Sequence, residues 1–480
     1  MSRAPNILLV MADQLVPFLT GAYGHPVVRT PSLDRLTATG VRFDAAYTPY
    51  PLCSPARAAL LTGRFASDLG CWDNASILAA DEPTVAHHLT NAGYEAVLSG
   101  KMHFVGPDQL HGFRRRLTTD VFPAGMDWVP TQDPDGRFVR GGHARSYVPP
   151  RVGVTTWTKF LTFDEETHFR ALEYLRERAR EPADEPFFLV ASYHHPHDPF
   201  LVTRELWDSY DGAEIALPER RDPNYTAMDR WANEAHETDA VDLDDEANLT
   251  ALRRAYYALV TYVDRKLGEL LDCLEQTRQA DDTLVIFTSD HGDMLGERRM
   301  VQKRCFYEWA VRVPLVVRLP GEEDAGLVVE RPVSLLDLVP TLLDVAGVPH
   351  ADRLSLDGTS LLDRGDRPVF AEYHVEKVRA PCFMVRSGRW KCIHVHGHDA
   401  RLFDLDTDPG EWNDLSGRAE LRTTEEHLRD SILARFEPDA IAAAGAASVA
   451  RRDLVRRAME RNGTSWDYQP FVDARQQYVR

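Results

Sequence analysis

The sequence predicts an α/β protein: one large, mostly parallel sheet sandwiched by helices, followed by a smaller C-terminal α+β subdomain. Three observations lead there. The apolar runs 7–11, 96–98, 187–190, 284–287 and 315–317 are continuous rather than alternating, as strands buried on both faces are. Helical patterns separate them. In 248–276, Leu252, Ala255, Leu259, Val263, Leu267, Leu270 and Leu274 recur at steps of three and four. Alternating strand and helix is the signature of a doubly wound sheet. After about residue 365 the rhythm changes to short strand-like pieces at 369–371 and 390–394, a turn-rich stretch at 404–415 and a helical tail at 421–461. The expected division is therefore 1–365 for the large α/β domain and 366–480 for a subdomain with a small antiparallel sheet and the tail.

Bulk properties narrow the function classes. A chain of 480 residues exceeds the size at which one core stops growing. Its 44% hydrophobic and 27% charged residues are those of a globular protein. A formal charge of −19 offers no basic field for a nucleic-acid backbone, so no nucleic-acid partner is expected. The N-terminal apolar run is too short for a secretion signal and ends at Asp13, and no stretch approaches a membrane span. Six cysteines, at 53, 71, 273, 305, 382 and 392, show neither metal-site spacing nor a disulfide framework. A cytoplasmic protein without a membrane partner is expected.

Two stretches interrupt the α/β rhythm. Residues 131–150 are rich in Gly, Pro and Arg, and 208–245 are polar and acidic with little periodicity. Both read as long loops over the sheet, where specificity determinants or passive insertions sit.

In open α/β sheets ligands collect beyond the carboxyl ends of the strands. That rule selects Asp13-Gln14 after the first run, Lys101 and His103 after the second, His194, His195, His197 and Asp198 after the third, and Asp290-His291 after the fourth. Any one could be an incidental cap; four together deliver carboxylates, imidazoles and a lysine to one edge. Asp13 and Asp290, with Gln14 and His291 beside them, form an oxygen-rich set with one imidazole. It suits a hard divalent cation such as Ca²⁺, Mg²⁺ or Mn²⁺ better than a closed structural zinc site. Arg57, Lys101 and Lys303 would complement an anionic group bridging to that metal. By itself Lys303 reads as a solvated surface lysine. His194 and His195 read as packing residues or as orienting groups for His197.

Cys53 is the pivotal residue. Pro55, two residues on, places it at the first turn of a helix, where partial positive charge favours an anion or an activated nucleophile. An inert buried cysteine and an ordinary thiolate nucleophile are the alternatives.

The stretch 51–63, Pro-Leu-Cys-Ser-Pro-Ala-Arg-Ala-Ala-Leu-Leu-Thr-Gly, matches the sulfatase signature at every position, including the Cys-x-Pro-x-Arg core read by the formylglycine-generating enzyme. The second signature is recognisable in 93–103, with Ala96 where Ser or Thr is typical. Further matches fall at 288–297, at Arg312-Val313-Pro314-Leu315, at Leu402-Phe403-Asp404-Leu405 and at Asp408-Pro409. The chain thus resembles the sulfatases of the alkaline phosphatase superfamily over almost its whole length. Within them it is most similar to choline-sulfatases, through 100–113, 117–120, Asp73-Asn74-Ala75 and His195-Pro196-His197-Asp198-Pro199.

That resemblance implies hydrolysis of a small sulfate ester, choline-O-sulfate or a related alkyl sulfate, with a phosphonate monoester or phosphodiester hydrolase or an arylsulfatase as the alternative use of the same site. It implies Asp13, Asp290, His291 and modified Cys53 as ligands of one divalent cation, with Gln14 standing where the family often has a second carboxylate. It implies formylglycine at position 53, made by the maturation enzyme. Hydrated to a geminal diol, this group attacks sulfur and later releases sulfate. Arg57 would orient the diol, Lys101 bind sulfate oxygens, His103 deprotonate the second hydroxyl, and His197 and Lys303 serve the leaving oxygen. Asn74, Trp128, His143 and Glu372 match choline-pocket positions, aromatic faces and carboxylates being what a quaternary ammonium needs. The sequence departs from that subfamily in 131–150, which lacks its tryptophan pair. Its end at Tyr478-Val479-Arg480 reads as lacking the tail through which relatives reach a neighbouring subunit. The tail at 421–461 and Trp466 resemble assembly segments, so a homo-oligomer, dimer or tetramer, is expected.

Overall fold

In the computed structural model, residues 4–132, 138–139, 152–181, 183–234 and 242–466 are described. His143 and most of the 131–150 loop lie outside them.

The five apolar runs are strands. We label the strands of the two main sheets β1 (Asn6–Asp13), β2 (Val41–Tyr47), β3 (Glu95–Gly100), β4 (Arg115–Arg116), β5 (Phe187–Pro196), β6 (Thr283–Ser289), β7 (Arg312–Arg318), β8 (Val328–Val329) and β9 (Val333–Ser334), then β10 (Val369–Tyr373), β11 (Cys382–Ser387), β12 (Trp390–Val395) and β13 (Ala400–Asp404). The large sheet runs β8-β2-β7-β6-β1-β5-β3-β4, with β9 also on β2. β6, β1, β5 and β3 are mutually parallel. β7 runs antiparallel between β6 and β2, so the sheet is mixed at one side.

Burial on both faces explains the continuous apolarity. Leu8, Val10 and Ala12 of β1 join one core with the helices α2 (Lys159–Arg180) and α3 (Glu246–Gln276). Ile7, Leu9 and Met11 join the opposite core with Leu60, Leu61, Leu338 and Leu342. Neighbouring parallel strands bury such runs fully, which fixes their register. α3 is capped by Asp245, whose carboxylate accepts from the Ala247 amide at 2.8 Å. The acidic stretch expected to be loop contains a helix, Ala227–Glu234, that buries Met228 and Trp231. Two apolar side chains three residues apart make one helical face too short for the pattern to rise above its polar surroundings.

The second sheet, β10-β11-β12-β13, is an antiparallel meander. The tail is two helices, α4 (Arg422–Arg435) and α5 (Pro438–Asn462), rather than one. Pro438 sets the break, because a proline cannot continue a helix but starts one well. α4 lays Leu428 and Ile432 on Phe383, Val385 and Leu402. Among the described residues no helix is long and apolar enough to cross a membrane.

A buried ionic cluster joins the two sheets. Lys391 of β12 reaches Glu308 at 2.9 Å and Glu411 at 2.7 Å, and the Tyr47 hydroxyl of β2 donates to Glu308 at 3.0 Å. Burial pushes the Glu411 carboxyl up, with Lys391 opposing it; at Glu308 the lysine and Arg312 overcome burial and hold the carboxyl down. Removing the shared cation leaves two carboxylates in an apolar setting. Lys391→Met is therefore expected to destabilise the protein by about 3–5 kcal/mol, read as a lowered thermal midpoint; an unchanged midpoint would show that the cluster does not join the sheets energetically.

Candidate active site

Parallel pairing decides which side chains meet. Ala12 of β1 is in register with Ser289 of β6, so Asp13 and Asp290 leave adjacent strand ends side by side. Gly100 of β3 pairs with Ser192 of β5, and Lys101 follows it. Gly100 has φ +99°, and a Cβ there would lie 2.0 Å from the Ser192 carbonyl oxygen, so only glycine lets β3 turn into the site.

Cys53 opens the helix α1 (Cys53–Thr62), with Pro55 in its first turn and Gly63 closing it at φ 68°. Every residue of this helix is buried. The Cys53 sulfur lies 3.2 Å from His291 Nε2 and 4.0 Å from Asp13 Oδ1. One donor atom each from Asp13, Cys53, Asp290 and His291 falls within 4.8 Å of the other three, all buried. This set of two carboxylates, an imidazole and the atom borne at position 53 suits a divalent cation. The four expected ligands thus come together from three separate segments.

Arg57, one turn along α1, is fully buried and uses its whole fork. Nε donates to Asp290 at 2.8 Å, one terminal nitrogen donates to the Lys101 carbonyl at 2.7 Å and the Ser192 hydroxyl at 2.9 Å, and the other reaches Asp13 at 3.3 Å. Lys101 pairs with the second oxygen of Asp13 and lies 4.4 Å from the centre of the Phe122 ring. Burial and the neighbouring Cys53 oppose ionisation of Asp13, but Lys101, His197 and Arg57 prevail and hold its carboxyl at about 2. Burial also opposes the Cys53 thiolate; Lys101, Lys303 and His291 outweigh it and carry the thiol well below its ordinary value. Cys53 is therefore not an inert core thiol, whereas burial raises Cys71, Cys305 and Cys382.

On the other side Lys303, expected by itself to be a solvated lysine, is buried. Its ammonium donates to Gln14 Oε1 and lies 2.9 Å from His197 Nε2. Gln14 passes the contact on, donating through Nε2 to Asp293. The His197 ring is oriented by Asp198 through contacts at Nδ1 of 2.9 and 3.1 Å. His195 and His194 are held by Asp164, which accepts both backbone amides and His195 Nδ1. His194 stacks on Phe160 at 4.2 Å and burial keeps it far below the ordinary histidine range. The His194 ring also lies 4.9 Å from that of His197, and its Nε2 is 3.2 Å from the Asp198 carbonyl oxygen.

His103 has φ 59° and stacks on Phe122 at 4.7 Å, with Trp128 edge-on at 5.6 Å. Its Nδ1 is buried with no hydrogen-bond partner among the described residues. Burial lowers its pKa, with Cys53 opposing, which favours the neutral ring.

Two expected pocket residues, Asn74 and Glu372, hold protein contacts. The Asn74 oxygen accepts from the Ser54 amide at 3.0 Å, so Asn74 acts on the helix carrying Cys53. Glu372 is fully buried and accepts from the Ser67 amide at 2.8 Å while facing His374 at 2.9 Å. A carboxylate so placed braces two loops. Four residues on, Glu376 pairs with Arg304 at 3.0 Å, next to Lys303, and no sequence pattern marks either. Phe122 and Ser192 were equally silent, since single residues in coil or mid-strand carry no pattern.

Comparison with known proteins settles the family. The sulfatase family model matches residues 5–348. The chain belongs to the sulfatase family. Its members are sulfuric ester hydrolases with an alkaline phosphatase-like fold, and the choline sulfatase enzyme C-terminal model matches residues 445–480. The C-terminal segment of this chain is therefore similar to that of choline sulfatases. The choline-sulfatase of Rhizobium meliloti (strain 1021) is 39% identical over 99% of this chain and 96% of its own length. An arylsulfatase of Clostridium perfringens is 27% identical over 90% and 94%. In structure, the phosphonate monoester hydrolase of Agrobacterium radiobacter superposes with a TM-score of 0.72 at 26% identity, covering 90% of this chain and 95% of that one.

Asp120 fixes the strand end that carries Lys101 and His103. It accepts the Met102 and His103 amides at 2.9 and 2.8 Å and pairs with Arg116 at 2.6 Å. Burial raises its carboxyl, but Arg116, His103 and the Met102 amide outweigh that and hold it at about 2, below the ordinary 3.8. A depressed acid stabilises the fold above its unfolded pKa and stops doing so as pH falls through the folded one. Asp120→Asn should therefore cost about 2 kcal/mol near neutrality. The gap in melting temperature to the parent should close as pH falls from about 4 to 2. A gap independent of pH would show that the carboxylate charge is not what holds this turn.

Proposed function

We propose that this sulfatase hydrolyses a small alkyl sulfate, choline-O-sulfate first among them, using formylglycine derived from Cys53 and one divalent cation, with Ca²⁺ preferred. The convergence of Asp13, Cys53, Asp290 and His291 beneath Arg57 and Lys101, with Lys303 and His197 opposite, carries this reading.

Asp13, Asp290, His291 and residue 53 would hold the cation, which would supply Lewis-acid neutralisation of the sulfate oxygens. Formylglycine at residue 53, once hydrated, would offer a nucleophilic oxygen and a second hydroxyl, which neither a thiol nor a serine has. The chain does the rest. Arg57 fixes the first turn of α1 against Asp290 and Asp13, so the attacking group arrives with its orientation set. Lys101 presents its ammonium to the anion. Sulfuryl transfer has a loose transition state with charge building on the leaving oxygen, so a donor there lowers the barrier directly. Lys303 and His197, 2.9 Å apart, form that donor pair. Neutral His103 takes the proton of the second hydroxyl through a ring whose Nδ1 has no protein partner among the described residues.

The cationic alcohol is supported by two aromatic faces, Phe122 and Trp128, 4.9 Å apart beside His103, and by the similarity to the Rhizobium choline-sulfatase over nearly the full chain. His143 belongs to the same proposal. The shape shared with a phosphonate monoester hydrolase supports that chemistry as the second reading. The formylglycine-generating enzyme is the maturation partner, and a homo-oligomer is the expected assembly.

Steady-state kinetics with choline-O-sulfate, an aryl sulfate and a phosphonate monoester test the substrate, with the highest kcat/KM expected for choline-O-sulfate. A higher value for the aryl sulfate or the phosphonate would reassign it. Active protein made with the maturation enzyme should carry an aldehyde at residue 53 in its tryptic peptide; full activity with unmodified cysteine would refute the mechanism. His103→Ala should lower kcat by about 10²-fold or more while KM changes little.

A further inference from the structure

The C-terminal helix α5 has a role in the site although it contributes nothing to the metal cluster. Its Arg452 is buried and forms a bidentate pair with Asp73, at 2.6 and 2.7 Å, with Nε directed to Ser448 at 3.2 Å. Asp73 is the hinge of a tight turn. Its Oδ1 also accepts the Ala75 amide at 2.9 Å and the Ser76 hydroxyl at 3.1 Å. That hydroxyl in turn accepts the Trp72 amide at 2.9 Å and the Asp73 amide at 3.1 Å. Inside this turn sits Asn74, whose oxygen takes the Ser54 amide, one residue from Cys53. The residue preceding the helix, Leu52, offers no side-chain cap, so this first-turn amide depends on a partner from elsewhere. The apolar contacts run the same way: Val449 of α5 packs with Trp72, Ala75, Met126, Val129 and Val375. At Gly445 the helix approaches so closely that a Cβ would lie 2.7 Å from Val375.

We infer that Arg452 is a positioning residue for residue 53, acting through the Asp73 turn and the Asn74 oxygen on the first turn of α1. A planar guanidinium matched to both carboxylate oxygens fixes the turn's direction as well as its place, which a point charge does not. The inference rests on the proposal that residue 53 bears the nucleophile, but the physical linkage can be read without catalysis.

The test compares the full-length parent protein with Arg452→Met, Arg452→Lys, Asn74→Ala and the double variant R452M/N74A. Amide hydrogen exchange of the peptide containing Ser54 should quicken in R452M and N74A, and only partly in R452K, while peptides from β1 and β6 keep the parent's protection. With choline-O-sulfate, R452M and N74A should each lower kcat about tenfold with less effect on KM, and the double variant should be no worse than the poorer single. Unchanged exchange at Ser54 in R452M would overturn the inference. So would a uniform rise across the whole fold, or losses in kcat that multiply in the double variant. If R452M does not fold, R452K decides, because a fork-dependent link predicts faster exchange at Ser54 even with the charge retained. If the parent hydrolyses no sulfate ester, the proposed activity falls while the exchange comparison still accepts or rejects the link.

Discussion

The Arg57 guanidinium is the contact on which the rest of the site depends. It is sealed from water and joins Asp290 after β6, Asp13 after β1, the Lys101 carbonyl after β3 and Ser192 within β5. Three parallel strand ends and the body of a fourth strand are thereby tied to the helix that carries Cys53. A buried charge is tolerable only when its hydrogen bonds are complete, and a planar fork with five donors can complete them where a lysine cannot. Sheet register brings the partners within reach; the guanidinium then fixes them to one another.

The electrostatics follow from that arrangement. Asp13 and Asp290 lie side by side in a dry setting, which is costly unless cations surround them. Arg57 and Lys101 supply that compensation from the strand side, and a divalent ion would supply it from the open side. Lys101, together with Lys303 and His291, also pulls the Cys53 thiol down against its burial. The field that stabilises a thiolate at this position also suits the anionic oxygens of a sulfate ester, so one set of charges serves the resting protein and the reaction. On the far side Gln14, with an oxygen for Lys303 and an amide for Asp293, carries contacts of both kinds that a carboxylate could not.

How much of this was legible depends on how local each signal is. Continuous apolar runs revealed the parallel core because their cause, burial on both faces, acts on every residue of the strand. The strand-end rule then found Asp13, Lys101, His197 and Asp290 without any pairing information, since a parallel sheet places all such ends on one edge. The antiparallel β7 was invisible because its apolar run reads the same in either direction. The break at Pro438 was legible in principle, whereas the helix Ala227–Glu234 was masked by its acidic neighbours. Phe122, Arg304 and Glu376 lay beyond reach: each matters through contacts with residues distant in the sequence, and such contacts leave no periodicity.

Asn74 and Glu372 show where resemblance needs geometry. Both fall where a pocket residue was expected, and in the fold both brace the walls, one on the Ser54 amide and the other on Ser67 and His374. The two uses are compatible for Asn74, because the helix end takes its oxygen and an amide retains two donors. They compete for Glu372, whose two oxygens already have partners while no water reaches it. In the proposed reading, a cationic alcohol would draw on the Phe122 and Trp128 rings rather than on this carboxylate. Val449 of α5 packs in one cluster with Met126, Trp128 and Val129, so the helix supports the segment that carries Trp128.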